Sequence, residues 1–288
     1  LIDPAELLRP RDAIARWAAR GVSVWYSVPS ALAMLLEQRA LAEVPWPSLR
    51  AALFAGEVFP MAQLRAVLEA LPHAKFYNLF GPTETNVCSA YALPPILDES
   101  ASAIPIGRPV PHIELELLSP DGQLLDGPGQ GELIARGPGV MTGYWRRPEL
   151  DTLSFVSLPD STGATSRWYR TGDLARRDDE GLLWFLGRRD HQVKIRGFRV
   201  ELGEVAAAVA KHPAIRESVV VPVKDAMGAS RLHTVAVLHD SASLDLLALK
   251  VHCARHLPPY MVPSSLEVRS ELPRTATGKI DLQRLVSP

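Results

Sequence analysis

Apolar residues recur at helical spacing over residues 5–20 (Leu7, Leu8, Ile14, Trp17, Ala18), and the run stops at Gly21. Val22 to Val28 is rich in β-branched and aromatic residues, which predicts a buried strand. Pro29-Ser30 opens a second helical stretch that runs to about Glu43. Leu49–Ala55 reads as a strand closed by Gly56, and residues 61–71 as a helix with Leu64, Val67, Leu68 and Leu71 inward. Ala74–Leu79 is strand-like again, before Gly81-Pro82. Strands alternating with helices predict βαβ units and a parallel sheet.

The pattern then changes. Ile113–Leu118 alternates as a half-buried strand, and Ser119-Pro-Asp-Gly122 is a turn in which Pro presets φ and Gly accepts a positive one. Gly131–Arg136 and Gly181–Leu186 are further strands, so the middle of the chain predicts a β-rich subdomain. From residue 190 a small α+β domain is expected. It has short strands over Gln192–Val200, a helix over Gly203–His212, strands Ser218–Val223 and His233–Leu238, a helix Leu246–His256 and a proline-stiffened turn Leu257–Pro263. The predicted fold class is therefore α/β, with βα layers and a β-rich subdomain over residues 1–189 and a small lid-like domain over 190–288.

Composition narrows the functions. The chain has 288 residues, 47% hydrophobic and 22% charged, enough for two cores. A formal net charge of −1, with no basic stripe, argues against nucleic acid or an acidic membrane surface as partner. Cys88 and Cys253 are too few for a disulfide framework or a structural zinc site and read as reduced thiols of a cytoplasmic protein. No apolar run approaches the roughly 20 residues of a membrane span.

Four stretches can carry chemistry, and each has a plainer reading. In Tyr77-Asn-Leu-Phe-Gly-Pro-Thr-Glu-Thr85, Gly81 permits close backbone approach, Thr83 offers a hydroxyl to phosphate and Glu84 a carboxylate to a divalent cation. The same residues suit a tight turn that caps a helix. In Trp168-Tyr-Arg-Thr-Gly-Asp-Leu174, Asp173 either closes a turn or accepts the two hydroxyls of a ribose. From Gly187 to Glu204, Arg188, Arg189, Lys194, Arg196 and Arg199 form either a solvated basic face or a glycine-punctuated mobile connection facing a phosphate. In Thr275-Ala-Thr-Gly-Lys-Ile-Asp281, Gly278-Lys279 is only a fragment of the phosphate-loop pattern GxxxxGK[ST].

In this order and spacing, together with Gly131-Glu-Leu-Ile-Ala-Arg-Gly137, Gly143-Tyr144-Trp145 and Leu257–Pro263, the stretches resemble the later core motifs of the AMP-forming adenylating superfamily. That family includes nonribosomal peptide adenylation domains, acyl-CoA synthetases and luciferases, and the amino-acid-activating branch resembles this chain best. The resemblance implies ATP and Mg²⁺ as reactants, and the phosphopantetheine thiol of an acyl or peptidyl carrier protein as acceptor. It implies that Phe80 stacks on adenine, Gly81 and Lys194 lie in the nucleotide site, and Thr83 touches the phosphates. Glu84 then helps bind the metal, Asp173 grips the ribose, and Arg188 lies near the ribose or phosphate. Lys279 bridges the substrate carboxylate and the α-phosphate, Asp190 is the hinge, and Gly197 lines the path of the thiol.

By the same resemblance the pocket that selects the acid is walled by Tyr26, Leu53, Ala55, Gly56, Leu79, Val87 and Cys88. The set is apolar and resembles stand-alone enzymes that load L-proline onto a carrier protein, the first step toward a pyrrole. A charged side chain would lie there unpaired at a cost of several kcal/mol. The family's Gly- and Ser/Thr-rich ATP phosphate loop is absent, so the expectation is a fragment of a protein of about 500 residues, inactive by itself. An acyl-CoA or aryl-CoA synthetase and a non-catalytic nucleotide-binding fragment are the alternatives.

Overall fold

The computed structural model describes residues 6, 8–160, 162–189, 192–225, 228–274 and 280–286. The chain divides into two compact units, residues 1–190 and 191–288.

The first unit opens with α1 (Pro10–Ala19), β1 (Val24–Ser27), α2 (Pro29–Glu37), α3 (Ala40–Glu43), β2 (Ala51–Ala55), α4 (Met61–Ala70) and β3 (Lys75–Phe80). Helices α1, α2 and α4 each carry proline at the N-terminus or N-cap, where its missing N–H costs nothing. One continuous helix was expected from Pro29 to about Glu43. The chain instead breaks at Arg39, which sits left-handed at φ 57°, and α3 starts anew. Strands β1, β2 and β3 pair in parallel, Tyr26 beside Leu53 and Leu53 beside Tyr77. The sheet is completed antiparallel by β4 (Ser89–Ala92) and β5 (Arg108–Pro109), so it is mixed rather than purely parallel. One face of the sheet packs on the helices. Trp25, Ala52, Phe54 and Phe76 alternate into that core beside Ile14, Trp17, Leu32 and Leu64. Trp17, Trp25 and Trp46 meet with ring centroids 5.2 to 5.7 Å apart, contacts worth about 0.5–1.5 kcal/mol each beyond their burial.

A second sheet follows, built from β6 (Glu114–Leu118), β7 (Gly129–Arg136), β8 (Phe155–Pro159), β9 (Thr165–Arg177) and β10 (Leu183–Arg188), with the short helix α5 (Pro148–Ser154) before β8. Its order is β10-β9-β7-β6, all antiparallel, with β8 also on β9. Leu115, Leu117, Leu133, Ala135, Ala175 and Leu183 fill its core with Phe80, Cys88 and Ile106.

The second unit is α+β. β11 (Gln192–Ile195) and β12 (Phe198–Glu201) form a hairpin around Arg196-Gly197, both at positive φ (50° and 82°), as a two-residue primed turn requires. Helix α6 (Leu202–Ala210) follows. The sheet β13 (Ile215–Lys224), β14 (Ser230–Leu238) and β15 (Ser265–Val268) flanks α7 (Leu246–Cys253), whose first turn is capped by the Asp245 carboxylate accepting from Ala248 N at 2.7 Å. A 3₁₀ turn, Pro259–Met261, and a last helix, α8 (Gln283–Val286), complete it. Val200, Val205, Val209, Leu232, Ala236 and Leu249 form its core. Among the described residues no helix is long and apolar enough to cross a membrane.

Candidate active site

The turn after β3 is held by its own backbone. Cys88 N donates to Phe80 O at 2.8 Å, Thr85 N to Pro82 O at 3.1 Å, and the buried Thr85 hydroxyl to Asn86 O at 3.0 Å. Glycine is required at 81 because a Cβ there would stand 1.7 Å from Asn86 O. The close approach that Gly81 permits is therefore by its own loop. No helix follows this turn. It joins β3 to the antiparallel β4, which overturns the helix-capping reading of Thr83 and Glu84. Thr83 is exposed and Glu84 half-buried. The Glu84 carboxylate accepts the Tyr144 hydroxyl at 2.7 Å, and Met141 N donates to Glu84 O at 2.7 Å. The Tyr144 and Tyr169 hydroxyls lie 3.5 Å apart. Burial, first, pushes the Tyr144 phenol above its ordinary 10.0, and the hydrogen bond to Glu84 adds to the rise.

Asp173 does not close a turn either. It lies within β9, at a place where the pairing with β7 jumps. Glu132 pairs with Leu174 and Ile134 with Arg170, so Thr171, Gly172 and Asp173 stand opposite Leu133 alone. Gly172 takes φ 73° to make this bulge. Thr171 secures it, its hydroxyl donating to Leu133 O at 2.7 Å and accepting from Asp173 N at 3.0 Å. Asp173 is 1% exposed, and Arg188 Nη1 donates to its Oδ1 at 2.6 Å and to Thr171 O at 3.1 Å. A second buried carboxylate, Glu132, accepts from Arg170 Nη2 at 2.6 Å, from Gly172 N at 3.3 Å and from Arg189 Nη1. Glu132 received no role from the sequence. The signal that could have found it is a lone acid in the otherwise uncharged run Gly131-Glu-Leu-Ile-Ala135, all of it buried.

The run of five cations is thus divided. Arg188 and Arg189 are committed to carboxylates of the first unit, while Lys194, Arg196 and Arg199 belong to the β11–β12 hairpin of the second. Gly197 owes its place in that hairpin to its positive φ. Lys279 and Asp190 lie outside the described residues.

Of the pocket candidates, Tyr26, Leu53, Ala55 and Leu79 share one face of the first sheet, the face turned away from the helical core. Tyr26 pairs with Leu53 and Ala55 with Leu79. Tyr26 is 60% exposed, and Leu53, Ala55 and Leu79 are half-buried. Gly56 follows β2 at φ 91°, and the half-buried Val87 precedes β4. Cys88 departs from the set. Its side chain is fully buried beside Phe80 and Ile106, and its thiol donates to Phe80 O at 3.4 Å, so it packs the core rather than that face. Phe80 itself is 7% exposed, with its ring centroid 5.9 Å from that of Phe185.

Glu84 is the acid the sequence offers to a metal. Among the described residues no three His, Cys, Asp or Glu side chains gather as a metal cage. A single carboxylate fits Mg²⁺, which keeps several waters and binds through one or two carboxylates plus substrate phosphates.

Residues 1–145 match the family profile described as AMP-binding enzyme, and residues 204–279 that of the AMP-binding enzyme C-terminal domain. The chain is 42% identical over 267 residues to an L-proline–[L-prolyl-carrier protein] ligase of Streptomyces coelicolor, covering 92% of this chain and 48% of the relative. It is 40% identical over 260 residues to the ligase of the same name from Pseudomonas fluorescens, covering 90% and 49%. Among solved structures, PA1221, a nonribosomal peptide synthetase protein containing adenylation and carrier (PCP) domains, superposes with a TM-score of 0.79 at 29% identity over 99% of this chain and 47% of that one. The chain spans about half the length of the curated relatives it matches.

Proposed function

This chain belongs to the AMP-binding enzyme family, and we propose that it is part of a ligase that activates L-proline as prolyl-AMP and loads it onto the phosphopantetheine thiol of a carrier protein. The observation that carries the substrate class is the apolar sheet face of Tyr26, Leu53, Ala55 and Leu79 in a chain 42% identical to a proline ligase. A small apolar ring side chain buries well against such walls, and a charged one does not.

In this reading the acid's carboxylate oxygen attacks the α-phosphorus of ATP, and the bond to pyrophosphate breaks. Both reactants are anionic, so the residues act by positioning and by neutralising charge; no protein nucleophile is required. Mg²⁺, when bound, offsets charge on the phosphates. Glu84 would hold it, its carboxylate already steadied by the Tyr144 hydroxyl. Thr83 is exposed at the same turn and donates its hydroxyl to a phosphate oxygen. Asp173 accepts the ribose hydroxyls, which compete with Arg188 for its oxygens, and Arg188 turns toward the phosphate. Phe80 and Gly81 border the adenine, and Lys194 and Lys279 of the second unit supply positive charge. In the second step the carrier thiol's sulfur attacks the acyl carbon, the bond to AMP breaks, and the thiol proton leaves to solvent. Asp190 is the hinge that exchanges the Lys279 segment for the Gly197 hairpin between the steps. The two cysteines, Cys88 and Cys253, are buried and not disulfide-bonded, in keeping with a reducing, cytoplasmic setting.

The test is amino-acid-dependent ATP–pyrophosphate exchange on the full-length protein, with a panel that includes L-proline. Proline-dependent exchange is the expected result. Exchange with another amino acid keeps the ligase and discards the pocket reading. Exchange with none, and a thioester formed from an aryl or fatty acid, moves the protein to the CoA-ligase branch.

A further inference from the structure

Glu132 is 5% exposed, charged, and used by none of the steps above. A carboxylate taken out of water persists only where donors surround it, and Glu132 has three. Arg170 reaches it with Nη2 at 2.6 Å and Nε at 3.2 Å, Gly172 N at 3.3 Å, and Arg189 through Nη1. Their positions matter more than their number. Arg170 is the last β9 residue in register before the bulge. Gly172 lies inside the bulge, among the β9 residues without a register partner on β7, and its N–H reaches the Glu132 carboxylate instead. Arg189 follows Arg188 directly, and its backbone N donates to Gly172 O at 2.9 Å. The β9–β10 register is also broken here, between Phe185 and Gly187, before Arg188 comes opposite Asp173. Two strands thus lose regular pairing at the point where Asp173 and Arg188 are displayed, and one side chain spans both irregularities.

We propose that Glu132 is a positioning residue for ribose recognition: its carboxylate braces the Thr171-Gly172-Asp173 bulge against Arg189, so that Asp173 keeps its aim when a nucleotide draws Arg188 away. This inference rests on the reading of Asp173 as the ribose acceptor. Without the brace the bulge has lost one donor's partner and the end of β10 one anchor. Asp173 then has no fixed direction once its own ion pair opens.

The test compares ATP with 2′,3′-dideoxy-ATP on the full-length protein, by calorimetric binding and by pyrophosphate exchange. Wild type prefers ATP. In Glu132→Gln, which keeps the side-chain shape and removes the charge, ATP affinity falls on the order of tenfold. The affinity for 2′,3′-dideoxy-ATP, which offers Asp173 neither hydroxyl, holds, so the preference collapses. A general loosening of the fold would weaken both nucleotides alike. Arg189→Gln is the second variant. Its side chain is 51% exposed, so the protein folds without it, and it reproduces the collapse in part. Equal weakening of both nucleotides, an unchanged preference, or a wild type that does not discriminate overturns the proposal. Absence of exchange with every acid strikes the ligase reading alone, since the binding preference still judges Glu132.

Discussion

The two sheets of the first unit present their candidate residues in opposite ways. On β1–β3 the candidates are apolar side chains in register on one face, positioned by strand alternation while the other face is locked into the tryptophan core. On β7, β9 and β10 they are carboxylates, nearly enclosed and held by ion pairs: Asp173 with Arg188, and Glu132 with Arg170 and Arg189 and the Gly172 N–H. Apolar walls act by shape and are replaceable one at a time. A buried charge is coupled to its counter-charge, and removing one leaves the other exposed to the full desolvation cost. Acid selection and nucleotide binding should therefore separate cleanly under mutation.

The largest effect is expected at Asp173. Asp173→Ala leaves the Arg188 guanidinium, itself 10% exposed, facing Thr171 O without this counter-ion, which should cost about 3–5 kcal/mol in urea unfolding. Asp173→Asn, nearly isosteric, should cost less while still weakening ATP. If both variants unfold like wild type, the pair is not a buried ion pair in solution and the contrast between the sheets fails.

Next come the apolar walls. Tyr26→Ala or Leu79→Ala in the full-length enzyme should change the ratio of kcat/KM between proline and a larger apolar amino acid by roughly 10- to 200-fold, the range a pocket methylene or two controls. The KM for ATP should stay within about twofold, since neither residue touches the charged cluster. A shift in ATP KM with an unchanged acid profile would reverse the assignment of the two sheets.

How much of this was legible follows the same division. β1, β2 and β3 announce themselves through alternation, as in Lys75-Phe-Tyr-Asn-Leu-Phe80, and the face shared by Tyr26, Leu53 and Leu79 follows from a period of two once the register is known. β9 was missed because Arg-Thr-Gly-Asp at its centre has the composition of a turn. Its polarity is instead satisfied by Glu132, 38 to 40 residues before the groups it binds, and by Arg188, 15 after Asp173, and no local pattern reports such partners. The strands Ser89–Ala92 and Ser265–Val268 were missed because Ser-Ala-Tyr-Ala and Ser-Leu-Glu-Val carry few β-branched residues to mark them. Cys88 was placed in the pocket by its position in a motif, but the backbone closing the β3–β4 turn carries its side chain into the core.

The smallest expected effect lies where the two sheets meet. Tyr144 joins the turn after β3, through Glu84, to Tyr169 on β9. Its phenol is raised above 10.0, so the group is protonated and able to donate throughout the neutral range. A folded-state value above the unfolded one contributes stability that is fully present below pH 10.0 and lost as pH rises through the folded value. Tyr144→Phe should therefore lower stability at pH 7 by about 1.5 kcal/mol, the low end of the net worth of one hydrogen bond to a charged acceptor. It should also remove part of the alkaline loss that wild type shows above pH 10.0. Because the hydroxyl also steadies Glu84, the Mg²⁺ concentration giving half-maximal exchange should rise, while the proline KM stays fixed. A Tyr144→Phe enzyme with wild-type Mg²⁺ dependence but altered proline KM would place Glu84 with the acid-selecting sheet and away from the nucleotide, and the division of labour would have to be redrawn along that turn.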